Sequence, residues 1–133
     1  MPRPSRSDLN AFARRLQDRR RVLIAEIREQ MTDSEDEHSV TLRAQFDDLD
    51  PHDDRAVGDW VREIAISQTV RDTRELDEIE AALRRIEEGT YGECVDCGED
   101  IPRARLDATP AAARCVPCQE LLEARTGGVR TAL

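Results

Sequence analysis

The sequence predicts a mainly α-helical chain: an antiparallel coiled-coil hairpin, then a small four-cysteine module with a short C-terminal helix. Three observations carry that expectation. Apolar residues recur at helical spacing over two long stretches, Leu9 to Leu49 and Val57 to Ile86. Only 3% of the 133 residues are aromatic, too few bulky side chains for a β-sandwich or a large α/β core. Four cysteines fall in two C-x-x-C pairs near the C-terminus, with none left over. The expected organisation is a hairpin over residues 1–88 whose N-terminal part packs on the cysteine module. The module and its helix then occupy 89–126, and a tail occupies 127–133.

In the first stretch, Ser7 is placed to cap a helix, with Asp8 in its first turn. Leu9, Phe12, Leu16, Leu23, Ile27, Met31, Leu42, Phe46 and Leu49 supply its apolar stripe. Pro51 disfavours helix at Asp50, so a turn is expected there. The second stretch, Val57, Val61, Ile64, Leu76, Ile79, Leu83 and Ile86, predicts a helix of about 33 residues, roughly 50 Å long. If residue 51 minus k faces residue 56 plus k, then Leu49, Phe46 and Leu42 meet Val57, Val61 and Ile64 in a coiled-coil seam. The same register sets polar Thr32–Val40 opposite polar Ser67–Glu75 and brings Asp33, Glu35, Asp36 and Glu37 within reach of Arg71 and Arg74. The break over 32–40 is either a polar layer or a true interruption. Trp60 belongs to the hairpin packing, and His38 and His52 are exposed.

Cys94 and Cys97 are separated by seventeen residues from Cys115 and Cys118, which is the spacing of a tetrahedral zinc site. Four thiolates leave no open coordination position, so one zinc held by Cys94, Cys97, Cys115 and Cys118 is structural. The competing reading of a C-x-x-C is a redox dithiol, but neither pair lies in a βαβ pattern. Gly98 suits the tight turn after the second ligand, and Pro117 suits the first turn of a helix, which places Cys118 near a helix N-terminus that favours its thiolate. That helix is expected to stop at Gly127-Gly128. Tyr91, Ile101 and Leu106 form a core too small to fold on burial alone. Arg103, Arg105 and Arg114 are charge partners for the anionic cluster.

Charge narrows the function. The chain carries a formal −9, and all 20 of its basic residues are Arg. Residues 1–31 hold eight Arg against four acids, whereas residues 32–54 hold nine acids against Arg43 alone. A −2 Zn(Cys)4 centre takes the total to about −11. Gripping nucleic acid through its phosphates needs a basic face, which weighs against a zinc-ribbon nucleic-acid module. The longest apolar run, Val22-Leu23-Ile24-Ala25, is too short for a membrane span or a signal-peptide core, so a cytoplasmic protein is expected. No phosphate-cradling Gly-rich loop and no catalytic triad stand out, and a non-enzymatic, monomeric protein is expected.

The run Gly89-Thr-Tyr91-Gly92-x-Cys94-x-x-Cys97-Gly98-x-x-Ile101, continuing through Arg105-Leu106-x-Ala108-x-Pro110-x-Ala112 to Cys115-x-x-Cys118, resembles the zinc-finger signature of the DksA/TraR family. The layout around it agrees: a helical hairpin before the finger, a Pro-Asp-rich tip and a short helix after it. The resemblance implies a bacterial transcription regulator that binds RNA polymerase directly. In that family the hairpin tip enters the secondary channel and alters open-complex stability, often with ppGpp at the polymerase interface. Tips of the family carry two Asp three apart with Ala two residues after the second. Here Asp50 and Asp53 match the first two, but Arg55 then stands at the alanine position. Asp54-Arg55-Ala56 restores the alanine and puts Pro51 where the first Asp belongs, so this tip has one extra residue. The resemblance makes Asp50, Asp53, Asp54 and Ala56 the polymerase-contacting residues. The family's lysines that contact ppGpp have no counterpart in a chain without lysine.

These charges predict no binding of the free protein to duplex DNA at physiological salt. Non-specific protein–DNA affinity is commonly about 10⁻⁴ to 10⁻⁶ M and falls with salt. A mobility-shift titration that gave tighter, steeply salt-dependent binding would overturn the expectation.

Overall fold

The computed structural model describes residues 4–32, 37–67 and 73–125. Among these, the helices are α1 (Arg6–Thr32), α2 (Glu37–Asp47), α3 (Asp54–Ser67), α4 (Thr73–Glu88), α5 (Arg103–Ala108) and α6 (Val116–Arg125). The chain divides into two compact units, residues 16–81 and residues 1–15 with 82–133, and the division falls inside α1 and α4.

The cap of α1 is Ser5, not Ser7. Ser5 Oγ accepts the Asp8 N–H at 3.1 Å, while the Ser5 N–H donates to Asp8 Oδ2 at 3.1 Å. This is a reciprocal capping box, and it satisfies two donors that a bare helix start leaves open. Its signal was present as Ser-x-x-Asp one turn before Leu9.

In the unit over residues 16–81, α2 and α3 form the expected helical hairpin. The Trp60 indole N–H donates to the Leu42 carbonyl at 2.8 Å, and the Phe46 and Trp60 rings lie 4.7 Å apart. Leu42, Val57, Trp60 and Val61 are buried. The side chain of Ile64, the pairing of Asp33, Glu35 and Asp36 with Arg71, and the polar segment at 68–72 lie outside the described residues.

The seam does not continue as one long two-stranded rod. Arg28 of α1 makes an ion pair with Asp47 of α2, and its guanidinium sits 4.7 Å over the Phe46 ring. Nineteen residues along one helix would separate Arg28 from Asp47 by about 28 Å. The contact therefore requires α2 to turn back beside α1; of the expected break over 32–40, Thr32 and residues 37–40 are helical and the rest lies outside the described residues. The second stretch folds back as well. A Cβ at Gly58 of α3 would come 2.9 Å from Glu80 Oε2 of α4, so these helices lie side by side. The register shifts with them: Arg20 meets Glu80 and Arg19 meets Glu75, where the hairpin rule paired Arg20 and Arg19 with residues 87 and 88. The reason is burial. A two-stranded seam leaves its side chains partly open, whereas Leu23, Ile27, Leu42 and Leu76 are at most 1% exposed in the folded-back bundle.

Arg20 and Glu80 form the buried ion pair of this bundle, each side chain 10% exposed. Removing one member of such a pair strands a charge in a poor solvent, at a cost of about 3–5 kcal/mol. Glu80→Ala is expected to destabilise the bundle by that amount in urea unfolding followed through Trp60, the sole tryptophan. Gly58→Ala tests the close approach. A free helix would gain roughly 1 kcal/mol from the alanine. Here the new methyl displaces the Glu80 carboxylate, and no gain is expected.

Candidate metal centre

The second unit is built outward from the end of α4. Gly89, at φ +81°, closes that helix with the paired bonds of a Schellman cap: Gly89 N–H to the Ile86 carbonyl and Thr90 N–H to the Arg85 carbonyl. The positive φ is open to glycine at no steric cost. Tyr91 then drops into the core with Cys94, Ile101, Leu106 and Ala112. The Tyr91 hydroxyl donates to the Pro110 carbonyl at 2.7 Å. Burial pushes the phenol up to about 12, so it stays a donor across the physiological range.

Residues 93–100 form the first metal knuckle. A single antiparallel bridge joins Glu93 to Asp100, with Cys94 N–H bonded to the Glu99 carbonyl and Gly98 N–H bonded to the Cys94 carbonyl. Gly98 has φ +79°, as its place after the second cysteine predicts. The second knuckle is tied to the first by Val95 N–H to the Ala113 carbonyl at 2.9 Å. It runs straight into α6, where Pro117 occupies the first turn and leaves no hydrogen bond unmade. The helix ends at Arg125, and the expected stop at Gly127-Gly128 lies outside the described residues.

The four sulfurs of Cys94, Cys97, Cys115 and Cys118 all lie within 4.8 Å of one another, and Cys97 Sγ is 3.8 Å from Cys115 Sγ. A zinc tetrahedron with Zn–S bonds of about 2.3 Å has edges of about 3.8 Å. The donor set and its spacing fit one zinc, and the sulfurs converge as one site instead of as two separate dithiols.

Ionisation is distributed unevenly. Burial opposes the Cys94 thiolate, but the N–H groups of Cys97, Cys115 and Asp96 outweigh it and bring that thiol down to about 6. Cys118 is held above the ordinary thiol range, by Cys115 first and then by Cys94. Cys118 stands in the first turn of α6, as Pro117 predicts. Four thiolates so close repel one another, and a divalent cation at their centre removes the conflict.

The arginines expected around the cluster are committed to other groups. Arg114 Nε donates to Asp96 Oδ2 at 2.7 Å, inside the first knuckle, and Arg105 Nε donates to the Arg114 carbonyl at 2.8 Å. Arg103 instead reaches Asp8 at 3.0 Å and Asp107 at 3.2 Å, and its guanidinium lies 5.0 Å over the Phe12 ring. Phe12 in turn sits 5.5 Å from Tyr91, and Arg15 donates to the Asp107 carbonyl at 2.9 Å. The start of α1 is thereby part of this unit. The Ser5 N–H and Arg103 hold the Asp8 carboxyl below the usual carboxylate value. Their contribution is complete above the ordinary carboxylate range and is lost as pH falls through the lowered value.

The tip lies in the other unit. Asp50 Oδ1 accepts the His52 N–H at 2.9 Å, forming an Asx turn, and Asp53 Oδ1 caps α3 by accepting the Ala56 N–H at 3.1 Å. Asp54 has no backbone duty of this kind. Its side chain is 75% exposed and comes 3.5 Å from Arg20 Nη1. Both His38 and His52 are exposed. No helix among the described residues is long and apolar enough to cross a membrane.

Residues 89–124 match the prokaryotic dksA/traR C4-type zinc finger. The chain is 30% identical over 106 residues to the RNA polymerase-binding transcription factor DksA of Escherichia coli K12, covering 80% of this chain and 70% of that one. It is 40% identical over 72 residues to the DksA of Caulobacter vibrioides; that match takes in 54% of this chain and about half, 51%, of the relative. The solved structure of transcription factor DksA2 from Pseudomonas aeruginosa superposes with a TM-score of 0.57 at 28% identity, over 92% of this chain and 88% of that one.

One zinc per chain is the expected metal content. Replacing any one cysteine with Ser should release it and loosen residues 89–125 while the helices of residues 16–81 persist. Elemental analysis and heteronuclear NMR of each variant check both halves of that statement.

Proposed function

This chain belongs to the DksA/TraR family, and from that premise we propose that it is an RNA polymerase-binding transcription factor of the bacterial cytoplasm. It works on the polymerase through its secondary channel and not by binding DNA. Cys94, Cys97, Cys115 and Cys118 hold the structural zinc. The tip residues Asp50, Asp53, Asp54 and Ala56 face the polymerase. No reaction is assigned to the chain itself, and it acts as a monomer. If ppGpp takes part at the polymerase interface, arginine has to serve in place of lysine.

The observation that carries this reading is the division of labour among the three tip carboxylates. Asp50 and Asp53 are used by the turn and the helix cap, each through Oδ1. Asp54, next in sequence and largely exposed, has no such backbone role and meets only Arg20 at 3.5 Å, a contact a partner can displace. That assignment favours the Asp54-x-Ala56 alignment of the tip. A basic, metal-bearing site such as a polymerase active centre is a suitable acceptor for an exposed carboxylate.

Asparagine carries the same side-chain carbonyl as aspartate, so it can still accept the two local hydrogen bonds. Asp50→Asn, Asp53→Asn and Asp54→Asn together are expected to leave folding and zinc content unchanged and polymerase binding largely intact, within a few-fold. The effect on promoter open-complex lifetime in a purified transcription assay should disappear. Asp54→Asn alone should account for most of that loss. A triple variant that regulates like its parent would reduce the acidic tip to a solvated turn.

A further inference from the structure

Arg20 is held from one side and shared on the other. Its Nε is bonded to Glu80 in the buried pair, its Nη1 reaches Asp54 Oδ1 at 3.5 Å, and its Nη2 is buried without a hydrogen-bond partner. Glu80 therefore fixes the guanidinium in place, and Asp54 comes to it. The contact lies beside a cavity of about 590 Å³, lined by Arg20, Ile24 and Arg28 of α1 and by Pro51, His52 and Asp54 of the tip. Arg28 of α1 anchors the end of α2 through Asp47 and Phe46, and Arg20 is the α1 group that reaches the start of α3 through Asp54.

We propose that Arg20 is a latch that holds the tip against α1 in the free protein and competes with the polymerase for Asp54. This rests on the reading of the tip given above. The strengths of the two ion pairs suit the role. The Arg20–Glu80 pair is buried and keeps the guanidinium aligned. The Arg20–Asp54 pair has one member 75% exposed, and such pairs bias an equilibrium by only about 2- to 5-fold. A latch of that strength disfavours exposure of the tip without preventing it, and a partner that offers Asp54 a better site displaces it. Apparent affinity is reduced by the fraction of molecules in the open state, so releasing the latch tightens binding by a comparable factor.

Arg20→Lys separates the two contacts. A lysine ammonium can remain beside Glu80 but lacks the fork that spans Glu80 and Asp54 together. Arg20→Gln combined with Glu80→Gln is the second variant, because it removes both charges at once and leaves no buried ion unpaired. Tip position is read without polymerase, in zinc-loaded full-length protein carrying Arg21→p-azidophenylalanine, since Arg21 also lines the cavity. Photocrosslinks from position 21 to residues 51–54 are expected in the parent and should fall in both Arg20 variants. Both variants should then bind core RNA polymerase about 2- to 5-fold more tightly. Crosslinks that persist unchanged in both variants would overturn the latch. So would crosslinks that fall while polymerase affinity stays the same, and in that case the polymerase reading still stands. Crosslinks that fall as expected, with no form binding polymerase, would overturn the polymerase reading and the competition with it.

Discussion

Four sulfur atoms held within 4.8 Å of one another are the constraint on which the C-terminal unit depends. That unit has a core of Tyr91, Ile101, Leu106, Cys94 and Ala112, with Phe12 and Ala82 beside it. A core of that size does not offset the entropy of ordering two knuckles and two short helices. The loops therefore take their shape from ligand geometry. Gly98 has the backbone freedom a tight knuckle needs, and the bond from Val95 to Ala113 fixes one knuckle against the other. Asp96 and Arg114 extend the same link to side chains.

The unit over residues 16–81 solves a different problem. It has enough leucine, isoleucine and valine to fold by burial, and its specificity comes from one polar device inside that apolar setting. Arg20 and Glu80 accept each other where neither would be tolerated alone, and Gly58 is small enough to let α3 come up against the Glu80 carboxylate. A buried pair of this kind sets the register of the helices. Slipping α4 by one turn would leave Glu80 buried without its partner and Arg20 with Asp54 alone.

The cysteine module was legible almost residue by residue, because ligand spacing, Gly98 and Pro117 encode local geometry that tertiary context does not override. The two long helical stretches and the C-terminal helix were legible from periodicity and from Pro117, whereas the short α5, Arg103–Ala108, was not anticipated. What periodicity did not convey was where the two long stretches fold back. A stripe at steps of three and four states which residues are buried, not against what, and the same leucines serve a two-stranded seam or a bundle equally well. The deciding contacts, Arg28 with Asp47 and Arg20 with Glu80, join residues 19 and 60 apart in the chain and have no local signature. Among the tip residues, the carboxylates of Asp50 and Asp53 read as free charges. Their work in the turn and the cap was visible in principle, since Asp before Pro and Asp before a helix are both familiar local patterns.

The C-terminal helix has a property that follows from how little holds it. No residue of α6 is buried, and Leu121 is 62% exposed. Ten residues are too few to stay helical in water by themselves. Its order is borrowed from Cys115 and Cys118 at its first turn, so a molecule that has lost its zinc presents this end of the chain as an unstructured segment with an apolar side chain at its middle. Proteolytic machinery engages segments of that kind first. Loss of the metal is therefore expected to open residues 116–125 to proteolysis before the helices of residues 16–81.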